Sequence, residues 1–284
     1  MINYILIVLF VAAGFSLTGQ SILQGKVIDS LTNQPIPYVN IGVLGENVGT
    51  VTNRNGEFSL NIRDEESDSS IRISMVGYES KTFTISDFRN ILKKNGQVYM
   101  SEIVYDMEDI VVKAKKFKGK KIREKVVGNS IEYEGSRIGF ETNQLGNEIG
   151  IVVKIKNRPT LIQDLSVYIA DNEFDGFKFR VNIYNLNNGL PDSSILKENI
   201  IVESEIKHGK LTVDLSQYDI IVEDDFFVSI EWIEDMGDYG LSFAVDISGS
   251  ASPSIVRATS QGEWKEVGRL AYGAGIGIAL TIRY

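Results

Sequence analysis

Few side chains in this sequence could do chemistry, and the first limit is a single histidine. His208 stands in Lys207-His208-Gly209-Lys210, a polar run with the character of a hairpin turn. A zinc peptidase site needs a His-x-x-Glu pair and a further histidine, which one histidine cannot supply. Ser-His-Asp catalysis would have to run through His208, and no Gly-x-Ser-x-Gly elbow is present. There is no cysteine, which removes thiolate nucleophiles, disulfides, cysteine-ligated zinc and a lipid-modified cysteine. Gly273-Ala274-Gly275-Ile276-Gly277 is glycine-rich but lies in a strand pattern, so it does not open a phosphate-binding helix.

Carboxylates and aromatic rings remain. Residues 131–284 carry 24 acidic and 13 basic side chains, so a carboxylate pair within reach for glycoside hydrolysis is expected by chance, and none stands out. Asp171-Asn172-Glu173-Phe174-Asp175-Gly176 packs three carboxylates and an amide into one turn. Asp171, Glu173 and Asp175 are therefore candidate calcium ligands, while a polar turn capping Ile169 and Phe177 accounts for the same residues. No other cofactor is expected. Trp232, Trp264, Tyr168, Tyr184, Tyr239 and Tyr272 are candidates for stacking on a sugar. Trp232 alternates with Phe226, Val228 and Ile230 and reads as core, whereas Trp264, among Glu263 and Lys265, reads as an exposed ligand-binding residue.

These residues need a scaffold, and 284 residues point to about two domains. The net charge of −9 is uneven. Residues 113–125 hold 8 basic and 1 acidic side chains, from Lys113 through Lys115, Lys116, Lys118, Lys120, Lys121 and Arg123 to Lys125. With Gly119 inside and no apolar period, residues 113–130 read as a basic linker, either a solvated spacer or a peripheral contact with anionic glycolipid or an acidic domain. The acidic remainder makes nucleic acid a poor partner. Tyr4 to Ala13 is an unbroken apolar run, short for a membrane span and suited to a signal peptide over residues 1–19. The chain is thus expected to be exported, to the periplasm, outer membrane or cell surface, with an uncleaved anchor as the alternative.

Residues 20–112 read as short strands. Val39, Ile41 and Val43 share a face, Asn53-Arg54-Asn55-Gly56 is a tight turn, and Phe58, Leu60 and Ile62 follow at alternate positions. Ile71, Ile73 and Met75 form a further strand, bent at Gly77. Residues 86–96, opening on Ser86 and closing on Gly96, carry one or two helical turns. The set Gly25-Lys26-Val27 with Asp29, Pro35-Ile36-Pro37, Val39-Asn40-Ile41, Gly49-Thr50 with Thr52, Gly56 with Phe58, and Val76-Gly77-Tyr78-Glu79 resembles the carboxypeptidase-regulatory-like domain. That family implies a small transthyretin-like or CnaB-like β-sandwich, common in exported proteins of Bacteroidetes-type bacteria. Asn53 stands where the family often has Asp, which argues against a cation at this turn. Met107-Glu108-Asp109-Ile110-Val111-Val112 is similar to the strand that follows this domain in TonB-dependent receptors. The roughly 170 residues that follow are too few for a barrel of 22 strands at about 10 residues each, so no transport is expected.

From residue 131 the alternation returns. Ile149, Ile151 and Val153 share a face, as do Leu165, Val167 and Ile169; Phe177, Phe179, Val181 and Ile183; Leu211, Val213 and Leu215; and Ile276, Ile278, Leu280 and Ile282. About nine or ten strands of this kind, over residues 131–284, indicate a jelly-roll-like β-sandwich. The terminal Tyr284 after an alternating run keeps a small outer-membrane barrel as a rival. The whole reads as an all-β, non-catalytic envelope protein acting as an interaction or scaffold module for a protein or glycan. A carbohydrate-binding module and an unrecognised glycoside hydrolase are the alternatives.

Overall fold

In a computed structural model of the chain, the described residues are 20–63, 68–104, 123–131, 136–139, 144–156, 158–237, 240–267 and 274–284. The expected signal peptide and residues 113–122 of the expected linker lie outside them, as do Tyr239 and Tyr272.

Among the described residues the first unit has seven strands and one helix. They are β1 (Gln20–Asp29), β2 (Asn40–Val43), β3 (Gly49–Val51), β4 (Glu57–Arg63), β5 (Ser70–Ser74), β6 (Lys81–Thr84), α1 (Ile85–Asn95) and β7 (Gln97–Met100). One sheet runs β4-β1-β7 and the other β3-β2-β5-β6. β4 shows why they face each other. Phe58, Leu60 and Ile62 are buried while Glu57, Ser59, Asn61 and Arg63 are exposed, the period of two that puts one strand face in a core. Val27, Ile41, Val43, Ile71, Ile73 and Phe88 fill the space between the sheets. α1 is longer than the one or two turns expected, and Thr84 rather than Ser86 caps it: the Thr84 hydroxyl accepts from the Asp87 N–H, and Gly96 closes the helix at φ 67°.

The second unit is a sandwich of two curled antiparallel sheets. Its strands are β8 (Glu124–Gly128), β9 (Ser136–Gly139), β10 (Glu148–Val153), β11 (Thr160–Asn172), β12 (Phe177–Asn187), β13 (Leu190–Ser194), β14 (Ile200–Ser204), β15 (Gly209–Asp214), β16 (Ile221–Val222), β17 (Phe226–Trp232), β18 (Leu241–Asp246), β19 (Ser254–Arg257), β20 (Lys265–Val267), β21 (Gly275–Ile276) and β22 (Ile278–Arg283). One sheet follows β13-β12-β17-β10-β19-β20, with β14 also on β12. The other follows β21-β18-β11-β22-β8, with β15 and β16 also on β11 and β9 on β18. The alternate apolar residues of the strands, including Phe179, Val181, Val228, Ile230, Trp232, Ile278 and Leu280, form one continuous core. That filled interior makes the unit a jelly-roll-like sandwich, and the apolar face of β22 points into protein, where a membrane barrel would turn it to lipid.

Two expectations change. Among the described residues the strands of 131–284 are more numerous than the nine or ten expected, and two of them, β11 and β12, run to 13 and 11 residues. Glu124–Gly128, assigned to the linker from its charge, forms β8 and pairs with β22 from Arg283↔Glu124 to Ala279↔Gly128. A charged strand is stable there because it is an edge, where Lys125 and Val126 stay exposed and only one side of the ladder is bonded.

Candidate functional site

The two units are docked through a surface that starts from glycine. Gly42 and Gly49 sit opposite each other on the outer face of the β2–β3 pair. A methyl group added at Gly42 would meet Gln261 Cβ at 3.0 Å, and one at Gly49 would meet Thr259 Cβ at 2.9 Å. The missing side chains let the segment after β19 lie directly on this sheet. Gly45 N–H then donates to Gln261 O at 3.0 Å, Gln261 Nε2 to Ser74 Oγ at 3.0 Å, and Thr259 Oγ1 to Glu46 O at 3.3 Å. An exposed ion pair, Arg54 to Glu234 at 3.2 Å, spans the same boundary.

Beneath this contact lies a row of charge. Strand register places Arg180 opposite Glu231, Glu231 opposite Glu148, and Glu148 opposite Arg257, in a line across β12, β17, β10 and β19. All four lie on the sheet face that turns away from the sandwich core. Glu148 and Glu231 are nevertheless fully buried, and Arg180 is 2 % exposed. Arg180 Nη1 donates to Glu231 Oε2 at 3.0 Å and Arg257 Nε to Glu148 Oε2 at 2.8 Å. Asn182 Nδ2 reaches both carboxylates, at 2.9 Å to Glu148 and 2.8 Å to Glu231, and Ser229 Oγ donates to Glu148. Arg180 also donates to the Tyr38 carbonyl of the first unit. Burial pushes the Glu148 carboxyl above its ordinary value, against the pull of Arg257 and with the repulsion of Glu231. The Tyr184 phenol is pushed well up by burial and by the Glu148 charge. Two atoms of the row, Arg180 Nε and Glu231 Oε1, are buried without a hydrogen-bond partner among the described residues.

Beside this sealed row the boundary opens. A cleft of about 750 Å³ lies between β3, β4 and the second unit, lined by Gln24, Asn47, Thr50, Ser59, Asn61 and Asp235 among others. A recess of about 360 Å³ continues from it past the Asn53–Asn55 turn to Glu234. Asn53 Oδ1 accepts from the N–H groups of Asn55 and Glu57, at 2.8 and 3.0 Å, so the turn consumes its own side-chain oxygen.

The residues singled out from sequence are scattered. Trp264 is half-buried, in edge-to-face pairs with Phe227 and Tyr184 at ring-centroid separations of 5.1 and 6.0 Å, and the Arg257 guanidinium sits 4.5 Å above one face. It therefore covers one end of the charge row, and one ring face is taken. Trp232 is in the core, as its alternation requires. Asp171, Glu173 and Asp175 are exposed at the end of β11 and the turn after it, and the structure does not draw them into one ligand set: among the described residues no three His, Cys, Asp or Glu side chains converge. Asn172, between them, instead donates to Ile206 O and accepts from Phe174 N–H, holding the turn. His208 is exposed at the turn into β15, with Nδ1 2.8 Å from Ala170 O. The Glu148–Glu231 pair was not singled out from sequence, although a signal exists. In Phe226–Trp232 the parity that carries Ser229 and Glu231 also carries Phe227, and that one apolar residue is the sign that the Glu231 face is covered.

Residues 23–112 match the family described as CarboxypepD_reg-like domain. No curated protein matches the chain. Among solved structures, the clostridial cysteine protease Cwp84 after propeptide cleavage aligns at 12 % identity and a TM-score of 0.42, over 56 % of this chain and 40 % of that one. The cysteine protease and lectin-like domains of Cwp84, a surface-layer-associated protein of Clostridium difficile, align at 14 % identity and 0.40, over 56 % and 36 %. A structure of infectious bursal disease virus, Gx strain, aligns at 10 % identity and 0.29, over 93 % of this chain and 64 % of that one. Likeness at this level carries no argument for function.

Proposed function

We propose that this chain is an exported, non-catalytic binding protein of the cell envelope, which holds a protein or glycan ligand in the cleft between its two sandwiches. The observation that carries the reading is the contrast at the boundary. The open cleft is lined by amides, hydroxyls and carboxylates suited to polar recognition. The carboxylate pair that could do acid–base work is sealed under Arg180, Arg257 and the docked first unit, and it does not line the cleft. The first unit, which carries the carboxypeptidase-regulatory-like match, supplies most of the lining, and Leu145 and Asp235 of the second unit border it.

The test is retention of the chain on native envelope material, compared with a Ser59→Arg/Asn61→Arg variant that crowds the cleft from two exposed positions. Retention is expected to fall at least tenfold in the variant, with an unchanged melting temperature. Equal retention would reject the cleft as the seat. Turnover of an envelope polymer, lost in Glu148→Gln, would replace this reading with the glycoside hydrolase one.

A further inference from the structure

Both strands that flank the cleft present unpaired edges to it. β4 ends its sheet and β3 ends the other, and among the described residues no strand pairs with either outer side. In an antiparallel ladder alternate residues bond to the partner strand, and the residues between them turn their N–H and C=O the other way. Val27 N–H donates to Gly56 O at 2.8 Å, and the register Gly25↔Phe58, Leu23↔Leu60 carries that parity along β4. Lys26 N–H, one position off, goes to Gly96 O on the β7 side. Glu57, Ser59 and Asn61 therefore turn their peptide groups to the open side. Glu57 spends its own on the turn, where its carbonyl accepts from Asn53 N–H and its N–H donates to Asn53 Oδ1. On the facing strand, Val43 N–H donates to Val48 O and Thr52 N–H to Val39 O, which leaves Gly49 and Val51 turned outward.

We propose that the ligand of the cleft is an extended, basic polypeptide segment of a partner protein, which adds as a strand along Ser59–Asn61 of β4. The inference rests on the cleft being the ligand seat and goes on to name the ligand class. Polypeptide is favoured over glycan by the main-chain pattern: outward donors and acceptors recur every two residues, about 7 Å along β4, which is the repeat of another strand. A basic segment is favoured by the lining, whose described residues include Glu57 and Asp235 and no lysine or arginine. Ser59 and Asn61 side chains stand on the exposed face of the sheet and line the cleft that the added strand would enter.

The experiment pans a displayed library of twelve-residue peptides against the chain lacking only residues 1–19, then measures amide exchange and affinity for a selected peptide. Enrichment in Lys and Arg is expected, with at least tenfold slower exchange at the Ser59 and Asn61 amides when peptide is bound. Asn61→Pro removes an outward N–H and leaves the β1 ladder intact, as proline on a free edge does, and is expected to weaken binding at least tenfold. Methylating alternate peptide nitrogens of the ligand tests the same bonds with the protein unaltered, so the result does not depend on the variant folding. Peptides that bind without protecting those amides, or that tolerate both changes, overturn the strand proposal and leave the cleft open to another polypeptide mode. A panning without binders, with oligosaccharide from the envelope shifting cleft resonances, overturns it in favour of glycan. No binding of either class at the cleft overturns this proposal and the cleft reading together.

Discussion

Arg180 and Glu231 carry the largest single-residue consequences, because each neutralises a charge that water cannot reach. Removing one member of a buried ion pair leaves the other uncompensated, at a cost of about 3–5 kcal/mol. Arg180→Ala should lower stability by that order in urea unfolding, while the joint change Arg180→Met/Glu231→Gln should restore a good part of it. Glu148 gives a pH signature. Its folded value lies above the ordinary 4.5 because burial disfavours the charged form. A raised carboxyl binds its proton more tightly when folded, so its contribution to stability is present below about 4.5 and is lost as pH rises through the folded value. The stability of the native chain relative to Glu148→Gln should therefore fall as pH rises above about 4.5, and denaturation midpoints of the two proteins across pH 4–8 check the sign. The row was legible only in part. Strand parity puts Arg180 and Asn182 opposite Phe179 and Val181, yet parity does not say what covers their face.

At the level of elements, alternation did most of the work. Phe58, Leu60 and Ile62 in β4, and Phe177, Phe179, Val181 and Ile183 in β12, occupy the core faces that period two assigns them. Segments with weak periodicity are where sequence reading and structure part. β8 looks like a linker because Lys125 and Glu124 break its pattern, and it becomes a strand only because β22 offers a free edge. α1 begins earlier than expected because Thr84, ending β6, turns its hydroxyl back to the Asp87 N–H at 3.1 Å. Thr84→Ala should cost about 1 kcal/mol, the usual loss of an N-cap, measured by thermal or urea melting. Ser86→Ala should have little effect, and the contrast between the two substitutions locates the cap.

For the molecule as a whole, the docking of two sandwiches brings Leu145 and Asp235 to the border of the cleft, and the docking depends on two small positions. Valine at Gly42 and Gly49 would collide with Gln261 and Thr259 while leaving both cores untouched. The Gly42→Val/Gly49→Val chain should therefore keep its strand content, gain radius of gyration in small-angle scattering, and lose any ligand held between the units. By contrast, the Arg54–Glu234 pair is exposed and screened, so Arg54→Ala should leave the melting temperature unchanged. If the radius of the double variant stays that of the native chain, the glycines are not the docking surface.

By itself the sequence determined the class of both units, the strand faces, the turn at Asn53–Gly56, and the poverty of histidine and cysteine chemistry. These are local matters, set by turn chemistry and by side-chain parity over a few residues. The charge row, β8 and the cleft were decided by the tertiary structure. Each depends on what lies against a face or an edge: the first unit over Arg180, β22 beside Glu124–Gly128, Gln261 and Thr259 on Gly42 and Gly49. A strand's period records that it has two faces, and only packing between distant segments decides whether the polar one meets water or protein.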